Sequence, residues 1–150
     1  MADKWSAFLP MRIPTVTHND LVPWRAKGGR MGIRKSDALK DAEDALMARI
    51  RAAGVPDEPV SCAARLTVTW CFLADGRHVA GEPHTSKPDM SNMLKTLEDC
   101  LTRCGVISDD SIICQECLAK GYAEHEGIYI EVSALYTEVS ALYADVMGGA

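Results

Sequence analysis

No apolar run in this chain approaches the ~18 residues that a membrane-crossing helix needs. The opening MADKWSAFLPMRIP holds no apolar stretch of signal-peptide length. The expectation is a cytoplasmic protein without a membrane partner. Three catalytic signatures are missing as well. There is no G-x-x-x-x-G-K-[ST] loop to cradle phosphates, no H-E-x-x-H metal pair and no G-x-S-x-G nucleophile turn. No nucleotide cofactor is therefore expected, nor a zinc protease or an esterase. The four histidines, 18, 78, 84 and 125, are scattered, mostly in polar stretches, and read as surface residues. Net positive charge is also lacking: the formal charge is −5, which argues mildly against nucleic acid as a partner.

The distribution of charge qualifies that. Residues 1–40 hold eight Lys/Arg against three Asp/Glu, a balance of +5, whereas residues 41–150 hold eight against 18, a balance of −10. A basic arm on an acidic body can hold a polyanion beside a carboxylate cluster. The length of 150 residues suits one domain with a single core.

Six cysteines stand at 62, 71, 100, 104, 114 and 117. Without a secretory signal they read as reduced thiols. Cys100-x-x-x-Cys104 with Cys114-x-x-Cys117 could make a four-cysteine zinc site. The second pair falls in an expected strand, however, where residues three apart point to opposite faces. Small buried thiols are the better reading.

The chain divides as follows. SAFLPMRI (6–13) reads as a strand. Residues 14–36, rich in Pro, Gly, Arg and Lys and without sustained periodicity, read as a long mobile basic loop. Ser36 caps a helix over 37–53, ended by Gly54 and Pro56. CAARLTVTWCFL (62–73) alternates as a strand, and 74–88 is a polar loop. Met90, Met93, Leu94, Leu97, Leu101 and Cys104 form a helical stripe that Gly105 stops. Strands follow at 111–120 and 127–132. The order β-α-β-α-β-β predicts an α+β fold with one mixed sheet and helices on one side. In the tail, 133–150, EVSALY occurs at 131–136 and again at 138–143. Val132, Leu135, Val139, Leu142 and Val146 then fit a short amphipathic helix.

The chemistry concentrates in KPDMSNMLKTLEDCLTRCGVISDD (87–110), where Asp89, Glu98, Asp99, Asp109 and Asp110 surround Lys95. Separately these are ordinary features. Asp89 is a helix N-cap, Lys95 and Asp99 an i, i+4 pair, and Asp109-Asp110 a turn. Together they suit phosphodiester cleavage. Mg²⁺ takes one or two carboxylates and keeps several waters. A helix N-terminus favours phosphate, and a lysine neutralises developing charge.

The segment KPDMSNMLKTLEDCLTRCGVISDDSII, with Lys120 and GIYIEV beyond it, resembles the RusA-type Holliday junction resolvases. Their pattern is KPD-x-DN-x-x-K, a helix, DD and a strand ending in Lys. The resemblance covers roughly residues 8–132 and is specific in 87–120. It implies a small α+β homodimer that binds four-way DNA junctions and nicks two strands with Mg²⁺ or Mn²⁺. Asp89 and Asp110 would be metal ligands and Lys95 a catalytic cation, with Asn92, Asp99 and Asp109 supporting. Arg25, Lys27, Arg30, Arg34 and Lys35, with Lys87 and Lys120, would contact DNA. Ser91 stands where the pattern has a second Asp, so a weak neutral ligand replaces a carboxylate. Three functions follow: a metal-dependent junction endonuclease, a branched-DNA-binding module with weakened or lost cleavage, and a zinc-stabilised interaction protein.

Overall fold

The computed structural model describes residues 2–135 and 144–148. Its spine is β4 (Ala64–Leu73). From Ala64 to Trp70 every second residue is at most 1% exposed, while Arg65, Thr67 and Thr69 turn to the opposite face. β6 (Gly127–Ala134) runs antiparallel along one side of β4 and sets Ile128, Ile130 and Val132 opposite Trp70, Val68 and Leu66. β1 (Lys4–Pro10) pairs antiparallel with β6 and adds Trp5 and Leu9 to the same buried face. β5 (Ile113–Ala123) lies parallel to β4 on its other side. The order β1-β6-β4-β5 makes a mixed sheet, as expected.

A parallel pair cannot be closed by a tight turn, so the chain must cross over between β4 and β5. The crossing is made by α2 (Met90–Arg103), which buries Met93, Leu94, Leu97, Cys100 and Leu101. α1 (Asp37–Ala52) packs beside it through Leu39, Leu46, Met47 and Ile50. Ser36 caps α1, its Oγ accepting from the Leu39 N–H at 3.0 Å. α2 stops at Gly105, whose φ of 78° a side chain would strain. Val106 N–H then returns to Leu101 O at 2.9 Å.

One carboxylate is enclosed in this packing. Glu43 of α1 is 4% exposed. Its Oε1 accepts from Lys35 Nζ at 2.6 Å and its Oε2 from Arg103 Nη1 at 2.8 Å. The pairing ties α1 to α2 and to Lys35, two residues before α1.

The structure corrects several expectations. Residues 14–36 are not one loop: they contain an antiparallel hairpin, β2 (Leu21–Arg25) and β3 (Met31–Lys35). Its turn is closed by Ala26 N–H to Arg30 O at 2.8 Å. Both faces are largely exposed, so no burial alternation marked it, and Pro23 argued against a strand. The observed order is thus β-β-β-α-β-α-β-β. β1 covers Lys4–Pro10 rather than 6–13, because Trp5 is buried and its Nε1 donates to Gly54 O at 2.7 Å. The helix expected over the tail is overturned at its start. Val132 lies fully buried in β6, which runs on to Ala134. Val139 and Leu142, with the whole of the second EVSALY copy, lie outside the described residues; 144–147 are helical. Cys114 and Cys117 are exposed rather than buried. Cys100 and Cys104 instead face α1, with Sγ atoms 3.9 Å from Glu43 O and 3.8 Å from Met47 O. Among the described residues no helix is long and apolar enough to cross a membrane.

Glu43→Gln keeps the shape but removes the charge that two cations share. It is expected to cost about 2 kcal/mol. Urea unfolding should show a lower midpoint with an unchanged m-value and a native far-UV spectrum.

Candidate active site

α2 supplies most of the acidic stretch, and its two faces have different tasks. The apolar stripe is buried against the sheet, which leaves Ser91, Lys95 and Asp99 on the outer side. Asp89 holds the N-cap position with extended backbone (φ −72°, ψ 141°), but its side chain makes no capping hydrogen bond. The carboxylate turns instead to Lys87, whose Nζ donates to Oδ2 at 2.9 Å. That bond is the main reason the Asp89 carboxyl lies below its ordinary value, with Lys87 and Lys120 charges adding to it. The first N–H groups of α2 are therefore not satisfied by Asp89.

A second group forms further along the helix. Lys95 Nζ donates to Asp110 Oδ2 at 2.8 Å and lies 3.4 Å from Asp99 Oδ1. Asp110 hydrogen bonding and the Asp99 charge push the ammonium up to about 12, so it stays cationic through the neutral range. Asp110 opens a short 3-10 turn, Asp110–Ile112. Asp109 builds that turn by accepting from the Ser111 N–H at 3.3 Å and from the Ser111 hydroxyl. These bonds hold the Asp109 carboxyl below its ordinary value. Beside Asp110 an open cleft of about 210 Å³ is lined by Lys35, Asp99, Thr102, Arg103, Asp109 and Asp110.

The expected site residues thus fall into two groups, Asp89 with Lys87, and Lys95 with Asp99 and Asp110. No hydrogen bond or ion pair joins Asp89 to Asp110 or Lys95. Among the described residues no cluster of three or more His, Cys, Asp or Glu is placed to hold a metal. The donor chemistry nevertheless fits a hard divalent ion, because the carboxyl oxygens of exposed Asp89 and half-buried Asp110 are the kind Mg²⁺ takes while keeping its waters. It does not fit an all-protein cage. Ser91 is exposed at the first turn of α2.

The basic residues separate in the same way. Lys120 Nζ donates to Ser86 O at 2.7 Å and Pro88 O at 2.8 Å, which braces the chain just before Asp89. Lys35 is held by Glu43, and Arg34 by Asp37 at 3.1 Å. Among the described residues Arg25, Lys27 and Arg30 make no side-chain hydrogen bond or ion pair.

Sequence reasoning named Asn92 but not its partners, and it missed several other residues. Asn92, at the first turn of α2, receives Asn19 Nδ2 on its Oδ1 at 3.0 Å, and His18 Nδ1 lies 3.2 Å from its carbonyl oxygen. The segment between β1 and β2 is therefore tied to α2 across more than seventy residues, and no local spacing could signal that. His84 is not a free surface residue: its ring stacks on Phe72 at 3.8 Å and its Nδ1 is buried without a partner. His78 stacks on Tyr122 at 4.3 Å. Glu98 is the third. Burial, then the carboxylate of Glu116 hydrogen-bonded to it, push it up to about 7.

The family model of endodeoxyribonuclease RusA matches residues 14–133. Among curated proteins none matches the chain.

Glu98 generates a pH prediction. Its ordinary value is 4.5. Between there and about 7 the folded state keeps a proton that the unfolded chain has released, so this group makes stability fall as pH rises through that window. Glu98→Gln should flatten the pH dependence. It should also raise the melting temperature at pH 8 by about 2 °C, the full effect being discounted for partial solvation. Thermal melts at pH 5 and pH 8 check both.

Proposed function

The chain belongs to the RusA endodeoxyribonuclease family, whose members resolve Holliday junctions; we propose that it is a Mg²⁺- or Mn²⁺-dependent endonuclease cutting four-way DNA junctions as a homodimer. The observation that carries the reading is the Lys95 ammonium held against Asp110 and Asp99, on the outer side of the helix that Asp89 opens. Asp89 and Asp110 would hold the ion, with Ser91 a weak neutral neighbour. A bound divalent ion supplies a polarised phosphate and a more acidic water. The residues do the rest. Lys95 keeps a permanent positive charge beside the scissile phosphate, and the uncapped N–H groups of α2 give a phosphate oxygen donors and the favourable end of the helix dipole. Asp99 orients Lys95, Asp109 shapes the turn that presents Asp110, and Lys120 holds the chain ahead of Asp89. Arg25, Lys27 and Arg30 have free charges for backbone phosphates, which sets position and not sequence. A two-fold pair of chains would offer one site to each of two strands.

A second reading has its own support. Ser91 replaces a motif carboxylate, and no three-group metal cluster stands among the described residues. That favours a junction-binding module with weakened cleavage. Cutting of a mobile four-way junction in Mg²⁺ and in Mn²⁺ separates the two.

Two variants sharpen the test. Asp110→Asn should reduce cleavage by at least about a hundred-fold while junction binding stays within about two-fold, since it removes a ligand charge and leaves the phosphate contacts. Unchanged cleavage would remove Asp110 from the site. Ser91→Asp should raise cleavage and enlarge the melting-temperature rise that added Mg²⁺ produces, because the ion would then gain a charged ligand found in the folded state. Differential scanning with and without Mg²⁺ gives the second readout independently of activity.

A further inference from the structure

The hairpin β2–β3 has a second property besides charge. Register sets Pro23 opposite Ile33, Arg25 opposite Met31 and Leu21 opposite Lys35, so these residues share one face. On it Leu21 is 49% exposed, Met31 68% and Ile33 72%. On the other face the Trp24 indole, itself 39% exposed, lies across Gly32, where any side chain would overlap it. A contiguous apolar ladder left open on a two-stranded hairpin calls for an occupant.

The charge around the ladder says which. Residues 21–35 contain five Lys/Arg and no Asp or Glu. Arg25, Lys27 and Arg30 at the tip carry no ion pair among the described residues. Stacking this face on its copy would bring unpaired cations together. A polyanion instead gains from every one of them. Phosphates alone, however, give Met31 and Ile33 nothing to bury against, and a continuous duplex hides its base faces in the stack. Unstacked bases at a strand exchange expose apolar surface inside a ring of phosphates, and apolar side chains are known to wedge between base steps.

We propose that the Leu21–Met31–Ile33 ladder is a wedge that packs on unstacked bases at the branch point of a DNA junction, while Arg25, Lys27 and Arg30 hold the flanking phosphates. The inference rests on the junction reading above and adds a selectivity element to it. The wedge accounts for preference for branched over linear DNA without any base-specific hydrogen bond.

The test uses the full chain in EDTA, with a four-way junction carrying 2-aminopurine at the branch and a linear duplex of the same sequence. The unchanged protein should raise the fluorescence of the junction probe and favour junction over duplex. Met31→Ser with Ile33→Ser, both exposed positions, should abolish the fluorescence rise and lower the junction preference about ten-fold with the salt slope unchanged. Arg25→Gln with Lys27→Gln and Arg30→Gln should flatten the log-log salt slope by about three and, at low salt, keep the fluorescence rise. Retention of signal and preference by the serine variant overturns the wedge while leaving the junction reading intact. A serine variant that instead loses self-association in sedimentation shows the ladder to be a contact between copies, which also overturns it. Equal binding of junction and duplex by the unchanged protein overturns the junction reading, and the wedge with it.

Discussion

The parallel pairing of β4 with β5 is the constraint on which the rest of the arrangement depends. Two neighbouring strands that run the same way must be joined by a crossing over one face of the sheet. In this chain that crossing is α2, and the same 14 residues cover the core and carry Lys95, Glu98 and Asp99. The core face is set by Met93, Leu97, Cys100 and Leu101, which leaves the outer side to Lys95 and Asp99. Where the crossing ends, the chain must turn back into β5, and that turn presents Asp110 to Lys95. The candidate site is a by-product of the topology: it lies on the flank of a helix whose rotation is fixed by burial.

What could be read from the residues beforehand follows the same logic. β4 declared itself because alternate residues from Ala64 to Trp70 face the interior. α2 did so through its stripe and the glycine after it. Both are local patterns enforced by burial. The hairpin could not be seen this way, because neither face of β2 or β3 is buried and Pro23 sits in a pairing strand. The destinations of polar side chains were less legible still. Asp89 has the composition of a capping residue, yet it turns to Lys87. Lys35 and Lys120 look like free cations in a basic segment and at a strand end. One is engaged by a buried carboxylate and the other by two backbone carbonyls. Composition reports charge but not partner, and a partner eight or thirty residues away is a tertiary fact.

The electrostatics are correspondingly divided. Most cations near the candidate site are already neutralised or hydrogen-bonded: Lys87, Lys95, Lys35, Arg34 and Arg103 each have an acidic partner. Among the described residues Arg25, Lys27 and Arg30 at the hairpin tip have no such partner. The net charge of −5 is thus the sum of a basic first forty residues and a more strongly acidic remainder.

Glu43 has one more implication. Its two oxygens are served by different cations from different elements, Lys35 from β3 and Arg103 from α2. Either cation alone can neutralise the buried carboxylate, and each is itself partly solvated. The arrangement is redundant: loss of one partner leaves a charge still compensated, whereas loss of both strands it in the interior. The two positions are thus coupled more than additively, so substitution at one is tolerable only while the other is kept. Sequence drift at residue 35 is in this sense conditional on residue 103, although 68 positions separate them.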